Sequence, residues 1–279
     1  MTVEFTKMHG TSNDYVYIDC MTGDIILTKE DIIKLSDRHT GIGGDGVIFI
    51  RKSNRADGFM DMYNADGSQS AMCGNGVRCV GAYLYNHGYA VKDEITVDTP
   101  SGIKTLTMHV EDGKAVGATV DMGKAVLDCA DIPVNYDGGN IDVPVMIDGG
   151  VYRATCVSMG NPHAVMFVDD VESIDLGDIG PKFEHHLIFP ERVNAEFVRV
   201  VSDTEIEMRV WERGTGETLA CGTGACAVVV AAVLKGYCPY DTPVTIQLRG
   251  GSLIIEYSRD GKVLMTGDAN EVFSGTVEI

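Results

Sequence analysis

Shifted by 148 residues, the chain matches itself. Asn13 falls on Asn161, Phe49 on Phe197, Arg51 on Arg199, Met60 on Met208, Cys73 on Cys221, Gly74 on Gly222, Gly76 on Gly224 and Val80 on Val228, all without a gap. Identities that keep register over this distance and cluster in Gly- and Cys-bearing loops read as two homologous halves, one folding unit made twice. The 279 residues permit this, because each half is long enough to bury a core of its own. The boundary is expected near Asp121 to Leu127. That gives an N-terminal domain, 1–121, with Cys73, and a C-terminal domain, 122–270, with Cys221. The stretch 271–279 lies beyond the second repeat and is expected to return as a strand that completes the first domain.

Within each half the pattern is mostly strand. Alternating or Val/Ile-rich runs lie at Tyr15 to Asp19, Val47 to Arg51, Gly58 to Tyr63, Ala164 to Val168, Phe197 to Val201, Glu205 to Trp211 and Val244 to Leu248. Asp112-Gly113, Asp148-Gly149 and Asp260-Gly261 stand between such runs, the short-range signal of a hairpin. Helices are few. One is expected from Thr28, an N-cap followed by Glu30 and Asp31. Gly222 to Lys235 holds ten successive apolar residues, Ala225 to Leu234, too few to span a bilayer, so this helix must be buried on every side. Gly74 to His87 is its less apolar counterpart. The fold class expected is α+β: two domains, each a mixed sheet or barrel of strands wrapped around one central helix and related by a pseudo-twofold axis.

The repeat carries chemistry at the start of both buried helices, as Cys73-Gly74-Asn75-Gly76 and Cys221-Gly222-Thr223-Gly224. A cysteine at a helix N-terminus meets the positive end of the dipole, which favours its thiolate and lowers its pKa. The glycines let a ligand approach the backbone, whose first-turn N–H groups can hold a carboxylate. Two such ends facing one ligand suit removal of a proton from one face of a carbon and delivery to the other, which is two-base racemisation or epimerisation. Asn64 and Glu212 stand nine residues before the two cysteines, Asn13 and Asn161 occupy matching turns, and Asn194 falls opposite Gly46. With Arg213, which can bind a second carboxylate bidentately, these polar groups suit a ligand that carries amino and carboxylate groups. Cys20, Cys79, Cys129, Cys156, Cys226 and Cys238 read as small buried residues, and His185-His186 as a solvated helix end.

Composition removes other classes. With 41 Asp and Glu against 22 Lys and Arg, a formal charge of -19, the chain repels nucleic acid and anionic membrane, which leaves a small molecule or a basic protein as the expected partner, and the polar groups above favour a small-molecule substrate. No apolar stretch approaches ~20 residues and the first twenty carry polar groups throughout, so a cytoplasmic protein is expected. There is no CxxC pair, metal-ligand cluster or dinucleotide fingerprint, and no lysine in either CGxG motif for a pyridoxal Schiff base; no metal and no cofactor are expected.

The sequence resembles the diaminopimelate epimerase family over essentially its whole length. The resemblance is carried by Lys7-Met8-His9-Gly10 with Asn13-Asp14, by Asn64-Ala65-Asp66-Gly67-Ser68, by Cys73 through Cys79, by Gly160-Asn161-Pro162-His163, and by Glu212 through Gly224. It implies a cofactor-independent isomerase of lysine and peptidoglycan precursor biosynthesis that converts LL- to meso-diaminopimelate, with its site in a cleft between two similar domains, and a homodimer. It also implies roles: Cys73 and Cys221 as the two acid–base thiols; backbone around Gly74, Asn75, Gly222 and Thr223 on the reacting carboxylate; Asn13, Asn64, Asn161, Asn194 and Arg213 on the substrate; His163 and Glu212 as tuners of thiol pKa. Gly46 stands where some members carry Gln, and Ser12 and Tyr15 where Gly and Phe are frequent. The rivals are a proline racemase-like enzyme, whose second motif places Asp and Pro near the cysteine, and a phenazine-pathway isomerase, disfavoured because both cysteines are present. From other classes come an amino-acid-binding protein and a redox dithiol protein.

Overall fold

The computed structural model describes residues 1–279, which form two compact units, Met1–Asp121 with Thr266–Ile279 and Met122–Met265. The first contains β1 (Thr2–Gly10), β2 (Asn13–Cys20), α1 (Lys29–Ser36), β3 (Gly46–Arg51), β4 (Gly58–Asn64), the short β5 (Gln69–Ser70), α2 (Gly74–Asn86), β6 (Glu94–Asp98), β7 (Lys104–Glu111) and most of β8 (Lys114–Lys124). The second contains β9 (Val143–Ile147), β10 (Gly150–Ser158), β11 (Pro162–Phe167), α3 (Leu176–Glu184), β12 (Asn194–Ser202), β13 (Glu205–Glu212), the short β14 (Gly216–Thr218), α4 (Gly222–Leu234), β15 (Val244–Leu248), β16 (Gly251–Tyr257) and the start of β17 (Lys262–Asp268). The chain then ends in β18 (Asn270–Glu278), which belongs to the first unit.

Both units use one pairing scheme. In the first, β18–β1 and β1–β2 are antiparallel, β2–β3 parallel, β3–β4 antiparallel, β4–β6 parallel and β6–β7 antiparallel. The second runs the same sequence of hands through β9–β10, β10–β11, β11–β12, β12–β13, β13–β15 and β15–β16. Each parallel pair needs a crossover, and each crossover carries one of the four helices. The strand that β9 supplies in sequence to the second unit is supplied to the first by β18, from the far end of the chain.

The central helices follow from their composition. α4 is apolar all round and packs against β10, β11, β12 and β16, with Ala225 to Val233 buried without a break. α2 touches β1, β2, β4, β6 and β7, and Gly74 to Leu84 are buried. Its lower apolarity is explained by Arg78, fully buried, whose guanidinium donates to the carbonyls of Asp268 and Gly74 and to Thr11 Oγ1. Paired in this way a buried arginine satisfies its donors, so the helix tolerates it.

The local signals correspond to particular turns. Asp112-Gly113 and Asp148-Gly149 both take positive φ at both residues, as a two-residue type I′ hairpin requires, whereas at Asp260-Gly261 only the glycine does and the turn is longer. Thr28 caps α1 in a reciprocal box with Asp31. α3 ends where His185-His186 reads as a helix end, but the pattern does not announce its span, because it holds Gly177, Gly180 and Pro181. Gly180 is there for contact: a Cβ would lie 2.4 Å from the Trp211 ring. His185 is the exposed C-cap of this helix. No helix is long and apolar enough to cross a membrane.

Candidate active site

In the first unit Cys73 is the N-cap of α2. Its Sγ accepts from the Gly76 N–H at 3.3 Å, and its carbonyl accepts from Val77 N. The N–H groups of Gly74 and Asn75, which have no partner inside the helix, are left for a ligand. The thiol also donates to Asn13 Oδ1 at 3.2 Å, and Asn75 Nδ2 reaches the same oxygen at 3.5 Å. Asn13 is held by its other end, since its Nδ2 donates to Asp45 Oδ2 at 2.6 Å. Asp45 in turn is tied by Arg38, which also grips Asp14, and Asp14 pairs with the buried Lys7. Burial alone would raise the Asp14 carboxyl, but hydrogen bonds from Arg38 and Lys7 overcome it and hold the pKa below its ordinary value. Asn64, at the end of β4, donates to Ser68 Oγ at 3.0 Å and is half-buried.

The second unit repeats the cap. Cys221 Sγ accepts from Gly224 N at 3.4 Å, its carbonyl accepts from Ala225 N, and Thr223 Oγ1 lies 3.6 Å from the sulfur. Asn161 Nδ2 donates to Thr223 Oγ1 at 3.3 Å, the counterpart of the contact between Asn13 and Asn75. What stands behind this asparagine is different. His163 Nε2 meets Asn161 Oδ1 at 3.0 Å, and His163 Nδ1 meets Glu196 Oε1 at 2.6 Å, with both side chains inaccessible to solvent. Glu212 accepts a short hydrogen bond from Thr218 Oγ1. Asn194, also buried, is held by backbone at both ends, donating to Pro162 O and accepting from Arg213 N. Arg213 itself is exposed and donates from Nη1 to Glu191 O.

One expectation is corrected here. A helix N-terminus should favour the thiolate, but burial, followed by the charges of Glu212 and Glu196, pushes the Cys221 thiol well above its ordinary pKa. The dipole is a small term beside desolvation and two neighbouring carboxylates. Burial likewise raises Glu212, against the hydrogen bond from Thr218 and the nearby His163.

The structure also explains Gly46. It sits opposite Asn64 in the β3–β4 ladder, and a Cβ there would come within 2.0 Å of Tyr63 O. Ser12 has φ of 61°, a left-handed conformation that glycine adopts more easily. Glu196, Asp45, Arg38 and Thr218 were not singled out by the sequence. Glu196 lies within a Val/Phe-rich strand, where an isolated carboxylate reads as an outward-facing residue. No group of three or more His, Cys, Asp or Glu side chains is arranged to hold a metal ion.

Comparison with known proteins gives consistent results. The family model described as diaminopimelate epimerase matches residues 5–128 and 155–272. A diaminopimelate epimerase of Leptospira biflexa is 52% identical over 282 residues, covering 100% of both chains. One from Acetivibrio thermocellus is also 52% identical, over 99% of each. Among solved structures, a phenazine biosynthesis protein of Bacillus anthracis superposes with a TM-score of 0.69 over 100% of both chains at 15% identity, a likeness of fold alone.

Proposed function

The chain belongs to the diaminopimelate epimerase family, and on that footing we propose that it interconverts LL- and meso-diaminopimelate by passing an α-proton between two thiols, Cys73 and Cys221. The observation that carries this reading is the repeated cap: two cysteines at equivalent places, each with its sulfur on the N–H of the glycine three residues on, each opening a buried helix. One thiolate takes the α-proton and becomes a thiol. The other thiol gives its proton to the opposite face and becomes a thiolate, so one turnover leaves the pair with exchanged protonation states. The carbanion's charge spreads into the α-carboxylate, where first-turn N–H groups of Gly74, Asn75, Gly222 and Thr223 stabilise it. The chemistry needs no cofactor.

The roles of the other residues follow from their places. Asn13 and Asn161 each stand beside a cap, and each has one amide end fixed by the protein. Arg213 is exposed and keeps donors for a distal carboxylate, while Asn194 holds its backbone. Asn64 presents its amide near the same strand end as the β3 glycine. Glu212 and His163 tune Cys221, Glu212 by its charge and His163 through Asn161. We further propose that the enzyme works in the cytoplasm, in the route to lysine and peptidoglycan precursors, as a homodimer; sedimentation equilibrium tests the last point.

The test of function is incubation of the reduced protein with LL-diaminopimelate in deuterium oxide, following α-deuteration and the appearance of the meso isomer. The reading expects both. Absence of exchange with both thiols shown to be reduced would overturn it.

A further inference from the structure

Beneath the N-terminus of α4 lies a carboxylate that the proton transfer does not use. Glu196 is fully buried, and its Oε2 has no hydrogen-bond partner. Leaving such an atom unpaired costs stability, so its retention needs a reason. The repeat supplies a control: at an offset of 148 residues Glu196 falls on Ile48, and His163 falls on Tyr15. Both residues of the first pair lie under or beside their helix cap as well. A Cβ on Gly76 would meet Ile48 Cδ1 at 2.9 Å, and a Cβ on Gly224 would meet Glu196 Oε1 at 2.8 Å. The scaffold therefore accepts an aliphatic side chain at this place, and packing does not explain a carboxylate there.

We propose that Glu196 is a positioning residue of the second half-site: it holds His163 by Nδ1, so that His163 Nε2 fixes the Asn161 amide with its NH2 group turned to Thr223 at the α4 cap. The path is continuous, from Glu196 Oε1 to His163 Nδ1 at 2.6 Å, His163 Nε2 to Asn161 Oδ1 at 3.0 Å, and Asn161 Nδ2 to Thr223 Oγ1 at 3.3 Å. Each ring nitrogen faces an oxygen, so the ring is held from both sides. Asn161 Nδ2 donates to Thr223, which leaves the Thr223 hydroxyl proton free to turn to Cys221 Sγ, 3.6 Å away. The first half-site has the reverse polarity. There Asp45 takes the Asn13 NH2 group, and the amide oxygen faces the cysteine. The charged and titratable groups around Glu196 are His163 on β11, Glu212 on β13, Cys156 on β10 and Cys221 at the start of α4.

This inference rests on Cys221 being one of the two acid–base thiols, and its test separates the two. Glu196→Gln keeps the shape and removes the charge. The full chain, labelled with 15N-histidine, is examined without substrate near neutral pH, with the His163 signal assigned by its loss in His163→Gln. In wild type the Nδ1 signal is expected to carry the shift of a strong hydrogen bond to a carboxylate, and in Glu196→Gln to lose it. In the same Glu196→Gln protein kcat is expected to fall on the order of tenfold to a hundredfold, as for other misoriented reactive groups, with a smaller change in KM. Glu196→Asp, which restores the charge one methylene short, is expected to recover part of the loss. A Glu196→Gln protein that keeps the wild-type Nδ1 signal, or that loses it with kcat unchanged, would overturn the proposal. Because the ring signal is read in the resting protein, it decides the fixing of His163 even if wild type fails to exchange diaminopimelate protons, a failure that would count against the functional reading.

Discussion

The two half-sites share a cap and differ in what lies under it. Around Cys73 the support is a network of partly exposed charges, Arg38, Asp14 and Asp45, reaching Asn13 from the side, above an aliphatic floor at Ile48. Around Cys221 the support is sealed: His163 and Glu196 are inaccessible, and Glu212 stands close enough to raise the thiol's pKa. The duplicated scaffold thus keeps the backbone geometry that makes a thiol available at a helix end. It has diverged in the electrostatics that decide when the thiol gives up its proton.

The largest effect expected treats the halves alike. Cys73→Ala and Cys221→Ala should each reduce epimerisation by about 10²- to 10⁴-fold, the usual contribution of a positioned acid or base, read as meso product formed in deuterium oxide. A large loss in only one variant would break the equivalence of the two caps. Next comes stability, where the halves should part. His163→Ala leaves Glu196 buried and unpaired, and should cost about 3–5 kcal/mol in urea unfolding.

The glycines under the caps sharpen the contrast further. Gly224→Ala places a methyl 2.8 Å from Glu196 Oε1, 2.9 Å from Met208 Cε and 3.2 Å from Cys221 Sγ. It should cost about 1–3 kcal/mol by overpacking and lower kcat through the displaced carboxylate. Gly76→Ala meets only the free end of Ile48 at close range, and the helix propensity of alanine, worth about 1 kcal/mol, offsets the contact. Its melting temperature should stay near wild type.

The smallest effects are in pH dependence, and their signs are opposite. Asp14 has a folded pKa below 3.8, so its stabilisation is present above that value and lost as pH falls through the folded pKa. Glu212 has a folded pKa above 4.5, so its contribution is complete below that value and lost as pH rises through the folded pKa. Asp14→Asn should therefore flatten the acid limb of a stability–pH curve, and Glu212→Gln the limb above it. Glu212→Gln should also move the onset of Cys221 alkylation to lower pH, since the Glu212 charge raises that thiol. An unchanged onset in the folded variant would remove Glu212 from the account of the second half-site.

Much of this was legible in the chain. The repeat, the two Cys-Gly-x-Gly caps and the all-apolar stretch from Ala225 to Leu234 are properties of local sequence, and the structure realises them at α2 and α4. The strand runs from Tyr15, Val47, Gly58, Phe197, Glu205 and Val244 lie inside β2, β3, β4, β12, β13 and β15. The parts that were not legible depend on residues brought together from different strands. Glu196 becomes meaningful only when β11 pairs in parallel with β12 and brings His163 beside it. The raised thiol at Cys221 depends on burial first and then on Glu212 and Glu196; the spacing picked out Glu212, but nothing in the chain relates Glu196 to the cysteine or foretells the burial. The end of α3 was legible at His185-His186, but its span was hidden because Gly177, Gly180 and Pro181 are poor helix formers, and Gly180 serves contact with Trp211 instead.

The return of β18 to β1 has a consequence for the order in which the protein is made. Residues 122–265 are contiguous, so the second unit can complete its pairing as soon as they have left the ribosome. The first unit cannot, although its residues are synthesised earlier. Until Asn270–Glu278 emerge, β1 has an open edge from Thr2 to His9, the kind of unpaired strand that recruits wrong partners. The half that carries Cys73 is begun first and closed last, and a nascent chain stalled short of β18 exposes that edge for as long as the stall lasts.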